Sequence, residues 1–177
     1  MYIAFFDSGI GGFTVLKEAL KVLPQENYIY FGDTLNAPYG VKSRETVREH
    51  VYEAVEAILK YELKALVVAC NTATSIAIND LRKTYDFPII GMEPAIKPAV
   101  SNISPGKKAL VLATPLTLQE EKFSNLVTQL KQENSIDAMP MPELVEFAEN
   151  LNFDRASVDK YFHAKFAQVD LNHYSAV

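Results

Sequence analysis

Hydrophobic and polar positions along the chain switch repeatedly between two periods, and the switches predict alternating strands and helices. Tyr2–Phe6 is a short apolar run that ends in the turn formers Asp7-Ser8-Gly9. From Gly12 the spacing turns helical, with Phe13, Leu16, Leu20 and Leu23 on one side, and Pro24 stops the helix. Tyr28–Phe31 reads as a second strand, followed by a long loop from Gly32 to Ser43 of the kind that usually carries function or moves. Ser43 with Thr46 opens a helix through Leu59, its apolar face built from Val47, Val51, Val55 and Ile58. Ala65–Ala69 is an uninterrupted apolar run, as in a parallel strand covered on both faces.

Cys70-Asn71-Thr72 leads into a helix to about Tyr85. Phe87–Met92 follows as a strand, Pro94–Val100 as a short helix and Lys108–Thr114 as a strand. The pattern then predicts one long polar helix from about Leu118 to Glu133, the run MPMP, and helices at Glu143–Glu149 and Asp154–Phe166. The last residues, Tyr174 to Val177, read as the start of another buried strand, from which a truncated chain is expected. Repeated strand–helix units of this sort imply an α/β fold with right-handed crossovers. Ser101–Lys107 is a linker candidate, and a boundary near Glu93 serves equally well. The division adopted is a first domain over 1–93 and a second over 94–177.

Composition narrows the function classes. The 177 residues carry a net charge of −5, with the lysines and arginines scattered. A nucleic-acid surface needs them clustered to displace counterions, so no nucleic-acid partner is expected. No apolar run approaches the length that spans a bilayer, so no membrane role is expected either. The N-terminus lacks the basic flank and cleavage site of a signal peptide. One cysteine cannot form an intramolecular disulfide, which fits the cytoplasm.

The candidate chemistry lies at three predicted strand ends, because ligands of open α/β sheets bind beyond the carboxyl ends of the strands. These are Asp7-Ser8-Gly9, the loop from Asp33 to Gly40, and Cys70-Asn71-Thr72. Cys70 stands just before a helix whose first amides lack internal partners. Those amides and the helix dipole favour an anion and should lower the thiol pKa, suiting the group to general acid–base work. A buried structural cysteine explains the same position equally well. Asp7 and Ser8, taken alone, are better explained as turn formers. The glycines are spaced G-x-G-G, unlike the dinucleotide fingerprint, and there is no Walker-type phosphate loop. An Asp-nucleophile phosphatase would want a second carboxylate where Gly9 stands. Tyr39 can pack in its loop as easily as it binds. His50, His163 and His173 have no metal spacing, no metal or cofactor is implied, and His50 is expected on the surface of its helix.

FFDSGIGGFTVLKEAL, YFGDTLNAPYG and ALVVACNTATSIAINDLR resemble, in order and spacing, three signature segments of the glutamate racemases, within the wider aspartate/glutamate racemase superfamily. PIIGMEPAIKPAV continues the likeness, and LVLATPLTL and ELVE extend it more weakly. The resemblance implies two facing α/β domains with mainly parallel sheets and flanking helices, glutamate bound between them, and the second domain and the return to the first incomplete here. It implies that Cys70 is the first catalytic base and that Asp7 assists it. Ser8, Tyr39, Gly40, Asn71 and Thr72 would hold the substrate's carboxylate and amino groups, with Thr114 or Thr117 adding a contact from the second domain. Two bases would act on opposite faces of the α-carbon without pyridoxal phosphate, Cys70 on D-glutamate. The family's second cysteine lies in a segment like GCTH, and the chain has no second cysteine. A homodimer, a role in supplying D-glutamate for peptidoglycan, and a chain inactive by itself are the resulting expectations. An aspartate or other amino-acid racemase of the superfamily, or a non-catalytic glutamate-binding or regulatory fragment, are the alternatives.

Overall fold

The protein is described by a computed structural model covering residues 1–101, 103–130 and 135–177. It divides into two compact units, Met1–Glu93 and Pro94–Val177.

In the first unit the apolar runs become β1 (Tyr2–Asp7), β2 (Tyr28–Gly32), β3 (Leu63–Val68) and β4 (Ile89–Gly91), a wholly parallel sheet in the order β2-β1-β3-β4. Side chains of β1 alternate between faces. Phe6 lies beside Phe31 and Tyr39 on one face, and Phe5 lies beside Tyr28 on the other. The first face carries α2 (Arg44–Ile58) and α3 (Asn71–Thr84), which pack against each other. Ser43 caps α2 by accepting from the Thr46 amide at 3.2 Å. The stripe expected of this helix is its core face: Val47, Val51 and Val55 are fully buried and Ile58 nearly so. Each such side chain contributes roughly 1.5–3 kcal/mol of burial.

The second face carries α1 (Phe13–Val22), anchored by the Tyr28 hydroxyl, which donates to the Leu23 carbonyl at 2.7 Å. The apolar side expected of α1 does not enter a core. No residue of the helix is buried, and Phe13, Leu20 and Leu23 are all exposed, although the Phe13 ring stacks on Tyr30 at 3.8 Å. Amphipathic spacing shows which side could be covered; it does not supply the layer that covers it.

The second unit holds α4 (Ile96–Val100), β5 (Lys108–Ala113), α5 (Pro115–Gln119), α6 (Glu121–Gln129), β6 (Ile136–Pro140), α7 (Glu143–Glu149), α8 (Arg155–Phe166) and β7 (Tyr174–Ala176). Its sheet is parallel, in the order β6-β5-β7. Three expectations change here. The single helix from Leu118 is broken at Glu120, whose extended backbone (φ −72°, ψ 139°) separates α5 from α6; its expected end, from Lys131 to Glu133, lies outside the described residues. The linker candidate Ser101–Lys107 likewise includes Asn102, outside them. Ahead of the break Thr114 caps α5 and Pro115 occupies its first turn. A strand, β6, runs into the MPMP stretch, and its Pro140 is tolerated because β6 is an edge strand. The terminal strand β7 forms, but as the opposite edge, with Val177 66% exposed. The Asp137 carboxylate ties the three strands together, accepting from Lys108 Nζ at 2.9 Å and from the Tyr174 hydroxyl at 2.8 Å.

Close approach at the start of α1 constrains one residue strictly. A Cβ on Gly12 would lie 2.7 Å from Asp7 Cβ, 3.0 Å from Ala69 Cβ and 3.0 Å from the Tyr30 hydroxyl. None of these atoms can swing away cheaply. Gly12→Ala should therefore destabilise the protein by about 1–3 kcal/mol, outweighing the usual helix gain of alanine. Urea unfolding followed by circular dichroism measures this, and an unchanged midpoint would contradict it.

Candidate active site

The register of the first sheet brings three loops together. Asp7 pairs with Gly32 across β1–β2, and Phe6 pairs with Val68 across β1–β3. The residues that follow, Ser8, Asp33 and Cys70, therefore leave the sheet at one end and nearly one level. Hydrogen bonds continue the ladder past the strands: the Asp33 amide donates to the Asp7 carbonyl at 3.0 Å, and the Ala69 amide to the Phe6 carbonyl at 2.7 Å.

Asp7 is 7% exposed, and its carboxylate turns back on its own loop. Oδ2 accepts from the Gly9 and Gly12 amides, each at 3.1 Å. The Tyr30 hydroxyl braces the same loop from β2, donating to the Gly9 carbonyl at 2.7 Å. Asp7 is thus both the turn former that local chemistry suggested and a buried charge at the site. Ser8 is half-buried, with Oγ 3.4 Å from Cys70 Sγ.

Cys70 is a free, buried cysteine and the N-cap of α3. Its sulfur accepts from the Ala73 amide at 3.3 Å and its thiol can donate to Ser8. The helix terminus contributes as anticipated, yet the net effect on the thiol is opposite to the expectation. Burial, followed by the negative charge of Asp7, pushes its pKa up, and the hydrogen bonds from Ser8 and Ala73 only partly offset this. A thiolate loses more solvation in this position than one helix turn returns. The free protein therefore holds a neutral thiol at neutral pH.

Asn71 and Thr72 open α3, Asn71 exposed and Thr72 buried. Tyr39 and Gly40 are both buried, in a short 3-10 turn at Tyr39–Val41 that packs against α3. Tyr39 donates its hydroxyl to Asp33 Oδ2 at 2.6 Å, and burial together with that carboxylate keeps the phenol protonated. Asp7, Ser8, Asp33, Tyr39, Gly40, Cys70, Asn71 and Thr72 all belong to the first unit. Thr114 and Thr117 belong to the second, where their hydroxyls lie 2.9 Å apart at the start of α5. Among the described residues no group of three or more His, Cys, Asp or Glu side chains could hold a metal ion.

Sequence reasoning overlooked three supporting residues. Tyr30 appeared only as a strand position. Thr74 donates to the Val68 carbonyl and accepts from the Met92 amide, both at 3.1 Å, fastening β3 to the chain after β4 one turn beyond Cys70. His50, expected on the surface, has a side chain only 19% exposed and lies beside the Tyr39 ring, centroids 6.0 Å apart. Its inward position follows from the helical spacing, since Val47 and Ala54, three residues before it and four after, are both buried.

Comparison with known proteins gives a consistent outcome. Residues 13–165 match the family of Asp/Glu/hydantoin racemases. The chain is 54% identical, over its whole length, to a glutamate racemase of Halothermothrix orenii and spans 70% of that protein. It is 53% identical to glutamate racemase 2 of Bacillus subtilis and spans 67% of it. The glutamate racemase of Escherichia coli, solved with L-glutamate and the activator UDP-MurNAc-ala, superposes with a TM-score of 0.82 at 35% identity, over 96% of this chain and 66% of that one. The parallel sheets of this chain, the loops gathered at the carboxyl end of the first and these likenesses agree: the chain belongs to the glutamate racemase family.

Proposed function

We propose that this chain binds glutamate at the carboxyl end of its first sheet and that Cys70 exchanges a proton with the α-carbon. The observation that carries the proposal is the placement of Sγ, buried between Ser8 Oγ and the Ala73 amide and within the field of Asp7. Ser8, Asn71, Thr72 and the buried Tyr39–Gly40 turn would hold the substrate's carboxylate and amino groups. The identity to glutamate racemases over the whole chain supports glutamate rather than aspartate.

The raised thiol pKa makes binding and ionisation one event. Burial and Asp7 both oppose the thiolate, and a bound α-ammonium brings a positive charge that opposes Asp7. Having released its thiol proton to solvent as the substrate enters, Cys70 would take the α-hydrogen as a thiolate and leave a carbanion, which the amides at the start of α3 are suited to stabilise. Returning a proton from the same sulfur regenerates the same enantiomer. Inversion needs a second base on the far face, and Cys70 is the chain's only cysteine. This chain by itself is therefore proposed to exchange the α-hydrogen of D-glutamate without racemising it. Paired with a second base on the far face, the same site would invert glutamate, and in the cytoplasm, as a homodimer, it would supply D-glutamate for peptidoglycan. The single thiol also favours a second reading, a module that binds glutamate without any proton transfer.

Two experiments test these roles. In deuterated buffer the protein should introduce label into D-glutamate and not equally into L-glutamate, and Cys70→Ala should abolish it; equal labelling of both enantiomers would contradict a one-base site. Binding seen by calorimetry with no label at all would support the second reading. The pH profile of Cys70 alkylation by iodoacetamide should move in opposite directions in two variants. Asp7→Asn removes a charge that raises the thiol pKa and should shift the profile to lower pH. Ser8→Ala removes a hydrogen bond that favours the thiolate and should shift it higher. Shifts in one common direction would refute this electrostatic account.

A further inference from the structure

Asp33 has a place in the site that the proton transfer leaves unused. It is the first residue after β2, and its amide extends the β1–β2 ladder by donating to the Asp7 carbonyl at 3.0 Å. An aspartate opening a loop commonly caps the backbone amides just ahead of it. This carboxylate takes side chains instead. Asn36 Nδ2 donates to both oxygens at 3.0 Å, and the Tyr39 hydroxyl donates to Oδ2 at 2.6 Å. Tyr39 is 1% exposed, with its ring beside those of Phe6 and His50. Asp33 is thus the partner that lets a phenol be buried here, and the backbone of the same residue is fixed to the strand that carries Asp7.

The tie has consequences for Cys70. The turn that begins at Tyr39 packs against α3, the helix that Cys70 caps. The Asp7 carboxylate, and Cys70 whenever it is ionised, both oppose ionisation of the Tyr39 phenol, so the three groups share one electrostatic neighbourhood. Without its acceptor, a buried hydroxyl gains by moving towards water, and the turn would move with it.

We propose that Asp33 is a positioning residue of the site: its carboxylate, by holding the Tyr39 hydroxyl, keeps the loop from Asp33 to Val41 closed against α3 and shields the Cys70 thiol. The inference rests on reading Cys70 and the Tyr39–Gly40 turn as parts of one ligand site, but its test needs no ligand. It extends to Asn36, which also holds the Asp33 carboxylate, and to His50, which lies against the Tyr39 ring; both act on the thiol through this tie and not by touching a reacting atom.

The chain's single cysteine makes alkylation by iodoacetamide, at fixed pH and without glutamate, a direct readout. Asp33→Ala should raise the rate about tenfold, and Asp33→Asn, which keeps an acceptor for Tyr39, should stay within about threefold of the parent. Tyr39→Phe should accelerate alkylation on its own, and adding Asp33→Ala to it should change the rate by less than about twofold, because the two side chains act as one unit. Ser43→Ala, which weakens the cap of α2 outside this loop, should lower the melting temperature and leave the rate unchanged. A general loss of stability would give neither rescue by asparagine nor this coupling. Asp33→Ala at the parental rate, or an acceleration that persists undiminished in the Tyr39→Phe background, would overturn the proposal. If Asp33→Ala does not fold, Tyr39→Phe alkylating at the parental rate overturns it equally. Added D-glutamate should slow alkylation of the parent protein; failure of that arm alone would count against the glutamate reading and leave the Asp33 assignment standing.

Discussion

Parallel pairing of β1 with both of its neighbours is the constraint on which the site depends. Because β2 and β3 run the same way and in matched register on either side of it, their carboxyl ends finish together. Loops distant in sequence are delivered to one edge with no requirement that they fold against each other first. A one-residue slip of β3 would turn Val68 and its neighbours to the opposite face and carry Cys70 away from Ser8. Full burial of Ala4, Phe6, Leu66 and Val68 makes such a slip costly. The packing of the sheet and the placement of the thiol are thus specified by the same side chains.

Much of this was legible in the sequence because it rests on periodicity. The stripe Val47, Val51, Val55, Ile58 could only be one buried helical face, and the run ALVVA only a covered strand. The gathering of Asp7, Asp33 and Cys70 followed from the rule for open parallel sheets without any distance being known. What stayed hidden depended on neighbours. The spacing of Phe13, Leu20 and Leu23 has a helical period whether or not a layer covers it, and here none of them is buried. The break at Glu120 is a choice of one residue's ψ inside a helix-compatible stretch, and β6 was masked by Asp137 and Pro140, which are unfavourable in a strand except at an edge and with partners. His50 was misjudged because a polar side chain beside an apolar stripe can point either way until Tyr39 is in place.

The direction of the Cys70 shift shows why local motifs are insufficient for electrostatics. A sulfur at a helix N-terminus does receive the expected amide, from Ala73. Motif reasoning sees that contribution because it is local in sequence. It does not see the loss of water around a residue 7% exposed, nor a carboxylate 63 positions earlier that the fold brings within range. Both oppose the thiolate, and the hydrogen bonds from the Ser8 side chain and backbone and from the Ala73 amide do not outweigh them.

That opposition has a use in a proton-transfer site. A permanently ionised thiol, close to solvent, would be a poor proton donor and exposed to oxidation and alkylation. On the proposed mechanism a neutral thiol beside a fixed carboxylate would give its proton to solvent only when a substrate ammonium enters, and would regain one from the α-carbon. The Asp7 carboxylate cannot move to follow these changes, because two backbone amides hold its Oδ2. With Asp7 fixed in place, the charge of a bound ligand, and not a rearrangement of the protein, would be the variable that sets the protonation of the sulfur. A rigid strand-end turn and a raised thiol pKa are in this sense two aspects of one arrangement.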